Sequence, residues 1–287
     1  MDRFGALRQN VSVSETNKSL SKVTTNTEAL KMKRKTALVA ATAITMGLVF
    51  AMAAPAQVTS GLVSRWIFDQ TYGITAMDSV GGHDGTLVGS AQFVADPQRG
   101  NVLNVSGISG AVQFPYTEDL TPETGTVSIW VNPTVKQNAD VVRLNTDMLV
   151  RCNLVGTYYA YNLRITDKGS VVAIISNDNP KTCGRQPQLV VKGPGNQVKL
   201  NQWNHLVMRW DGTSVSLFVN GKLASSARYS PTPGTGLSFH GTSPLAVAAA
   251  IWDFNDGYLE YAGNVSDLRV YSRSLADSEI TNIFQGQ

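Results

Sequence analysis

Apolar and polar residues alternate with a period of two along much of residues 57–287, the pattern of strands that bury one face. Residues 203–221 show it most clearly. Leu206, Met208 and Trp210 alternate with His205, Val207 and Arg209; beyond Asp211-Gly212, Val215, Leu217 and Val219 alternate with Ser214, Ser216 and Phe218. An Asp-Gly pair between two such runs predicts a hairpin, and Asn220-Gly221 predicts a second turn, because both residues tolerate positive φ. Further strands are expected at 62–69, 103–107, 111–115, 126–133, 141–151, 158–165, 171–176, 245–248, 258–263 and 265–275. In the run 126–133 the inward set is Val127, Ile129 and Val131, with Ser128 and Trp130 on the other face. Residues 181–196, rich in Gly, Pro and Gln, read as a long loop. Ile280, Ile283 and Phe284 at helical spacing predict a short C-terminal helix, with Ala276 a weak N-cap supplemented by Asp277. The pattern is all-β: one large domain built on an antiparallel meander, with a short terminal helix.

The first 56 residues break this pattern. Residues 1–31 are polar, rich in Ser, Thr and Asn and aperiodic, the composition of a disordered extension. A basic cluster follows at 31–35, then the uncharged, mostly apolar stretch 36–53, then Ala54-Pro55-Ala56, a small-x-small cleavage site. That order is the grammar of a secretory signal peptide over 32–56, with Met32 a candidate natural start. A membrane anchor is the rival reading, but the apolar stretch barely reaches spanning length and is diluted by Ala and Thr. The expectation is a domain over 57–287 that is secreted, periplasmic or on the cell surface, without stable membrane insertion once the signal is removed.

Charge changes the picture of partners. Residues 1–56 hold 8 of the 24 Lys and Arg and 3 of the 21 Asp and Glu, leaving 16 against 18 for residues 57–287, a net of −2. The domain is not a basic nucleic-acid binder. Cys152 and Cys183 are the two cysteines. In an exported chain a lone pair is most simply a disulfide; two buried free thiols are the alternative. His83, His205 and His240 show no zinc-ligand spacing and no evident partner.

Several motifs together resemble one family. Trp203 and His205, the Asp211-Gly212 turn, Leu217-Phe218-Val219 and Asn220-Gly221 are similar to the central hairpin of laminin-G-like jelly rolls of the concanavalin-A-like superfamily. Asp78-Ser79, Gly81 and Gly85-Thr86-Leu87 resemble that family's entry turn. Asp267, Arg269, Tyr271 and Arg273 stand in register with its closing strand. The likeness covers about residues 61–285 and is weakest over 134–200. It implies an antiparallel β-sandwich of the jelly-roll type and, with an acidic residue after the first aromatic strand and another in the last, a structural calcium ion. Asp69 and Asp267 would be its carboxylates, completed by backbone carbonyls near Gly73 and Gly82 and by Asn264. The alternative is that both aspartates hold turn amides and arginines.

Catalytic signatures are missing. No strand carries the alternating carboxylates of a groove glycosidase, and there is no Gly-x-Ser-x-Gly elbow. A non-catalytic module recognising a carbohydrate or extracellular protein fits better. A purely adhesive surface protein, or a glycosidase with carboxylates dispersed over several strands, stands as the alternative. Candidate ligand contacts are Tyr159 and Tyr161, which alternate onto one face, with Arg164 and Trp252. Trp66, Trp130, Trp203 and Trp210 are expected in the core or packed on a sheet.

Overall fold

The computed structural model describes residues 57–106, 110–145, 159–175, 189–228, 245–248 and 261–286. In chain order the strands are β1 (Leu62–Trp66), β2 (Thr75–Ala76), β3 (Gly85–Val88), β4 (Gln92–Asp96), β5 (Gly100–Val105), β6 (Ala111–Phe114), β7 (Gly125–Pro133), β8 (Ala139–Asn145), β9 (Tyr159–Ile165), β10 (Val171–Ile175), β11 (Leu189–Lys192), β12 (Asn204–Trp210), β13 (Ser214–Val219), β14 (Lys222–Arg228), β15 (Leu245–Val247) and β16 (Gly263–Tyr271), followed by helix α1 (Asp277–Phe284). They form two antiparallel sheets. The first runs β14-β13-β12-β7-β16-β5-β4, with β1 also paired to β16; the second runs β11-β10-β9-β8-β15-β6-β3-β2.

The period-two pattern explains the sandwich. Leu206, Met208, Trp210, Val215, Leu217 and Val219 from the hairpin join Val127, Ile129 and Val131 in one buried cluster with Tyr161, Leu163, Val171 and Ala173 of the second sheet. Each such side chain removed from water contributes roughly 1.5–3 kcal/mol. The turns are held by the side chains that mark them. Asp211 accepts hydrogen bonds from the Thr213 and Ser214 amides at 2.8 and 2.7 Å. Asn220 and Gly221 lie at φ 51 and 73, the two positive angles of a two-residue hairpin.

The first sheet also buries its outer face in part. Val207, Phe218 and Tyr271 point away from the main core and are covered by Leu275, Ile280 and Ile283 of the C-terminal segment. Arg209 ties the helix down through Asp277 and the Leu275 carbonyl, each at 2.6 Å. The helix cap differs from the expectation. Asp277 is taken by Arg209, and Glu279 instead accepts from the Ala276 amide at 2.8 Å.

Two other boundaries differ. The strand beginning at Leu62 ends at Trp66, because Phe68 sits at φ 65 with its ring in the core. The 181–196 loop contains β11, whose Leu189-Val190-Val191 run pairs with β10 as an edge strand; Gly and Pro flank that run rather than interrupt it. Among the described residues no helix is long and apolar enough to cross a membrane.

Candidate functional site

Trp130 is set on the outer face of the first sheet by the alternation of β7, between His205 of β12 and Ser266 of β16. Beside it the outer face opens into a cleft of about 480 Å³, with Arg65, Arg99, Trp130, Trp203, Ser266 and Asp267 in its walls. Arg99 comes from the tight turn between β4 and β5. Asp96 shapes that turn. Its Oδ1 accepts from the backbone amides of Gln98 and Arg99 at 2.9 and 3.1 Å and from the Trp203 indole Nε1 at 3.2 Å. One carboxylate therefore fixes both the turn that carries Arg99 and the orientation of Trp203.

The Arg99 guanidinium lies 3.7 Å from the Trp130 ring centroid and 5.0 Å from that of Trp203. A cation over an indole is favourable by roughly 0.5–2 kcal/mol, more as water is excluded. Burial pulls Arg99 down to about 10 from 12.5, opposed by Asp267 and Asp96 and reinforced by Arg269. The group thus stays charged near neutral pH but is poorly hydrated. On its far side Trp130 stacks on Phe284, the last residue of α1, at 5.7 Å and 17°.

The floor of the cleft is an ion cluster. A bulge between Ser266 and Arg269 puts Asp267 at φ 48, a conformation Asp tolerates. Its carboxylate accepts from Arg65 Nε and Nη2 at 2.7 and 3.2 Å and from Arg269 Nε and Nη2 at 3.1 and 2.7 Å. Burial would raise the Asp267 pKa, but the hydrogen bonds from Arg269 and Arg65 outweigh it and hold the carboxyl at about 2.

Two serine–histidine pairs lie in the first sheet and beneath it. His205 Nε2 is 2.8 Å from Ser128 Oγ, and burial, with Arg269 and Arg99 nearby, drives its pKa to about 3, so it is neutral. His83 Nδ1 is 2.6 Å from Ser64 Oγ, and its Nε2 is 3.1 Å from Asp119. The connectivity resembles a charge relay, yet Ser64 and Ser128 are fully buried, with no approach for a substrate carbonyl. Both pairs brace the fold. His83 and His205 thus have partners that sequence spacing did not reveal.

Residues 106–281 match the laminin G family model Laminin_G_3, described as the concanavalin A-like lectin/glucanases superfamily. The chain belongs to this superfamily. Mouse usherin is 27% identical over 103 residues, spanning 36% of this chain and 2% of usherin. Trypanosoma rangeli sialidase in complex with sialic acid superposes with a TM-score of 0.55 at 16% identity, over 79% of this chain and 33% of the sialidase. The binding domain of botulinum neurotoxin DC in complex with SialylT superposes with a TM-score of 0.54 at 15% identity, over 79% of this chain and 51% of that one. The chain therefore spans about half or less of the length of these relatives, and the structural likenesses at such identities establish the fold.

Within this concanavalin A-like domain the residues singled out from sequence are dispersed. Tyr161 is fully buried: its ring stacks on Trp210 at 5.3 Å and its hydroxyl donates to the Leu120 carbonyl at 3.0 Å. It is a core residue, not a ligand contact. Arg164 is buried too, with Nε on Asp140 at 2.6 Å. Tyr159 opens β9, but its side chain, like Trp252, Cys152 and Cys183, lies outside the described residues.

The calcium ligand set is not assembled. Asp69 is exposed beyond the Phe68 corner and accepts from Gln70 at 2.9 Å. Gly73 and Gly82 lie in turns at φ 89 and 75. Asn264 is paired with Asn104 at 2.7 Å. Both Asp267 oxygens are occupied by guanidinium donors, and two adjacent positive charges oppose a dication there. These residues do not fit a calcium site, and among the described residues no group of three or more His, Cys, Asp or Glu could hold a metal. Asp78 does what its motif suggests: its two oxygens accept from the amides of Arg65, Val80, Gly81 and His83 at 2.9–3.1 Å. Burial would raise its pKa, but these amide donors lower it on balance.

Trp66 and Trp210 are core residues and Trp130 packs on the outer face of the first sheet, as expected; Trp130 and Trp203 are also half-buried walls of the cleft. Arg99 was not singled out at all. The available signal was Trp130 on the outward side of β7 opposite the inward Val127, Ile129 and Val131.

Proposed function

We propose that residues 57–287 form an exported, non-catalytic module that binds carbohydrate in the cleft between Arg99, Trp130 and Trp203. The observation that carries this reading is the pairing of two indoles with the Arg99 guanidinium in one open cavity. Sugar rings present C–H faces that pack on indoles and hydroxyls that need oriented polar partners, and a mostly preformed cleft meets both needs. The leader over 32–56 supports export. Proteins that contain a similar fold over 33% and 51% of their chains form complexes with sialic acid and SialylT, in keeping with a carbohydrate ligand here. The burial of Ser64 and Ser128 supports the non-catalytic reading.

The test is an oligosaccharide panel titrated against wild type and Trp203→Ala. Trp203 is half-buried and outside the main core, so the variant is expected to keep the unfolding midpoint within a few degrees and lose binding. Binding unchanged in Trp203→Ala, or turnover of a polysaccharide by the wild type, contradicts the proposal.

A further inference from the structure

We infer that the cleft selects an anionic sugar, gripping a carboxylate or sulfate with the Arg99 guanidinium, which rests on Trp130, while Trp203 flanks the ring. This rests on the carbohydrate reading above and goes beyond it in naming the ligand class.

The charges in and around the cleft carry the inference. Arg65, Arg99 and Arg269 face Asp96 and Asp267, so one positive charge is left over. It resides on Arg99. Arg65 and Arg269 are engaged with Asp267, and Asp96 is engaged with backbone amides and Trp203. Arg99, in contrast, makes no hydrogen bond or ion pair with its side chain among the described residues; it stacks on indole and meets Asp96 and Asp267 only at longer range. Its guanidinium carries five N–H donors in a rigid fork that matches a carboxylate or sulfate edge bidentately. Poor hydration by the indole walls lowers what an incoming anion must displace, and charge-assisted bonds of this kind are the stronger ones.

The same geometry disfavours neutral sugars. The guanidinium at 3.7 Å covers the Trp130 face that a neutral ring would stack on. A neutral ring stacked on Trp130 would have to displace Arg99 and would gain no ionic contact in return. An anionic ligand leaves Arg99 in place and uses it.

The experiment uses matched pairs differing in charge: oligogalacturonate and its methyl ester, sialyllactose and lactose, dextran sulfate and dextran. Each is titrated against the full chain and Arg99→Gln by calorimetry. In at least one pair the charged member is expected to bind about tenfold or more tightly. Arg99→Gln is expected to remove that preference, with neutral binding equal or stronger. The carboxylate and sulfate pairs distinguish the two sources of charge. Equal wild-type binding of charged and neutral members overturns this inference but leaves the carbohydrate reading standing. A charge preference that persists in Arg99→Gln also overturns it. Failure of every member to bind overturns both. Unfolding midpoints of the two proteins are compared first; loss of the cation–indole contact is expected to lower that of Arg99→Gln by a few degrees, which leaves the variant folded at the titration temperature.

Discussion

Replacing Asp267 by asparagine removes a charge while keeping the shape of the side chain and its tolerance of φ 48. Two arginines converge on this carboxylate, and its side chain is 11% exposed. Its pKa of about 2 in the folded protein, against an ordinary 3.8, corresponds to about 2 kcal/mol of stabilisation at neutral pH. The variant also strands Arg269, which is 4% exposed. Breaking one side of a buried pair costs about 3–5 kcal/mol, and Arg65 at 17% exposure can recover some hydration, so the lower end, about 3 kcal/mol, applies. For a domain of this size that is a fall of about 6–12 °C in unfolding midpoint. The pH dependence has a defined sign. A depressed folded pKa gives stability that is complete above 3.8 and lost as pH falls toward 2. Urea unfolding should therefore show wild type losing stability through that window and Asp267→Asn losing less there. A variant within about 1 °C of wild type at neutral pH, with the same acid limb, would refute the reasoning.

Tyr161→Phe removes one buried hydroxyl and its bond to Leu120, so denaturant unfolding should show a loss of about 1 kcal/mol with oligosaccharide binding unaltered. Loss of binding would return this residue to the ligand site. Thermal unfolding should be the same in calcium and in chelator, because Asp267 is committed to arginines; a calcium-dependent rise that Asp267→Asn abolishes would contradict that arrangement. Asp211→Ala removes the acceptor of four hydrogen bonds in the β12–β13 turn, with an expected cost of about 1–2 kcal/mol in urea unfolding and no change in ligand affinity.

Sequence carried the fold further than the site. Alternation around Asp211-Gly212 fixes both the hairpin and which side chains face inward, because a one-residue slip would expose Leu206, Met208 and Trp210 together. The Asp78 turn was legible for a similar local reason: one carboxylate serves amides within a few residues of itself, with Arg65 as the exception. Tyr161 misled because β9 buries both faces. Asn162 and Arg164 are as hidden as Tyr161 and Leu163, so period two could not say which side met ligand. The cleft was illegible because its parts are distant in sequence. Asp96, Arg99, Trp130 and Trp203 meet only after β4, β5, β7 and β12 take their places in one sheet, and the exposure of Trp130 depends on where α1 ends. The Asp69–Asp267 pairing failed for a geometric reason: the Phe68 corner turns Asp69 outward, while the β16 bulge brings Asp267 onto Arg65 and Arg269.

Indole N–H resonances separate the cleft from the core in a single spectrum. Titration of the labelled protein with the best-binding oligosaccharide should move the Trp203 and Trp130 indole signals and leave those of the buried Trp66 and Trp210 in place. Binding that moves neither cleft tryptophan would place the sugar elsewhere and contradict the account.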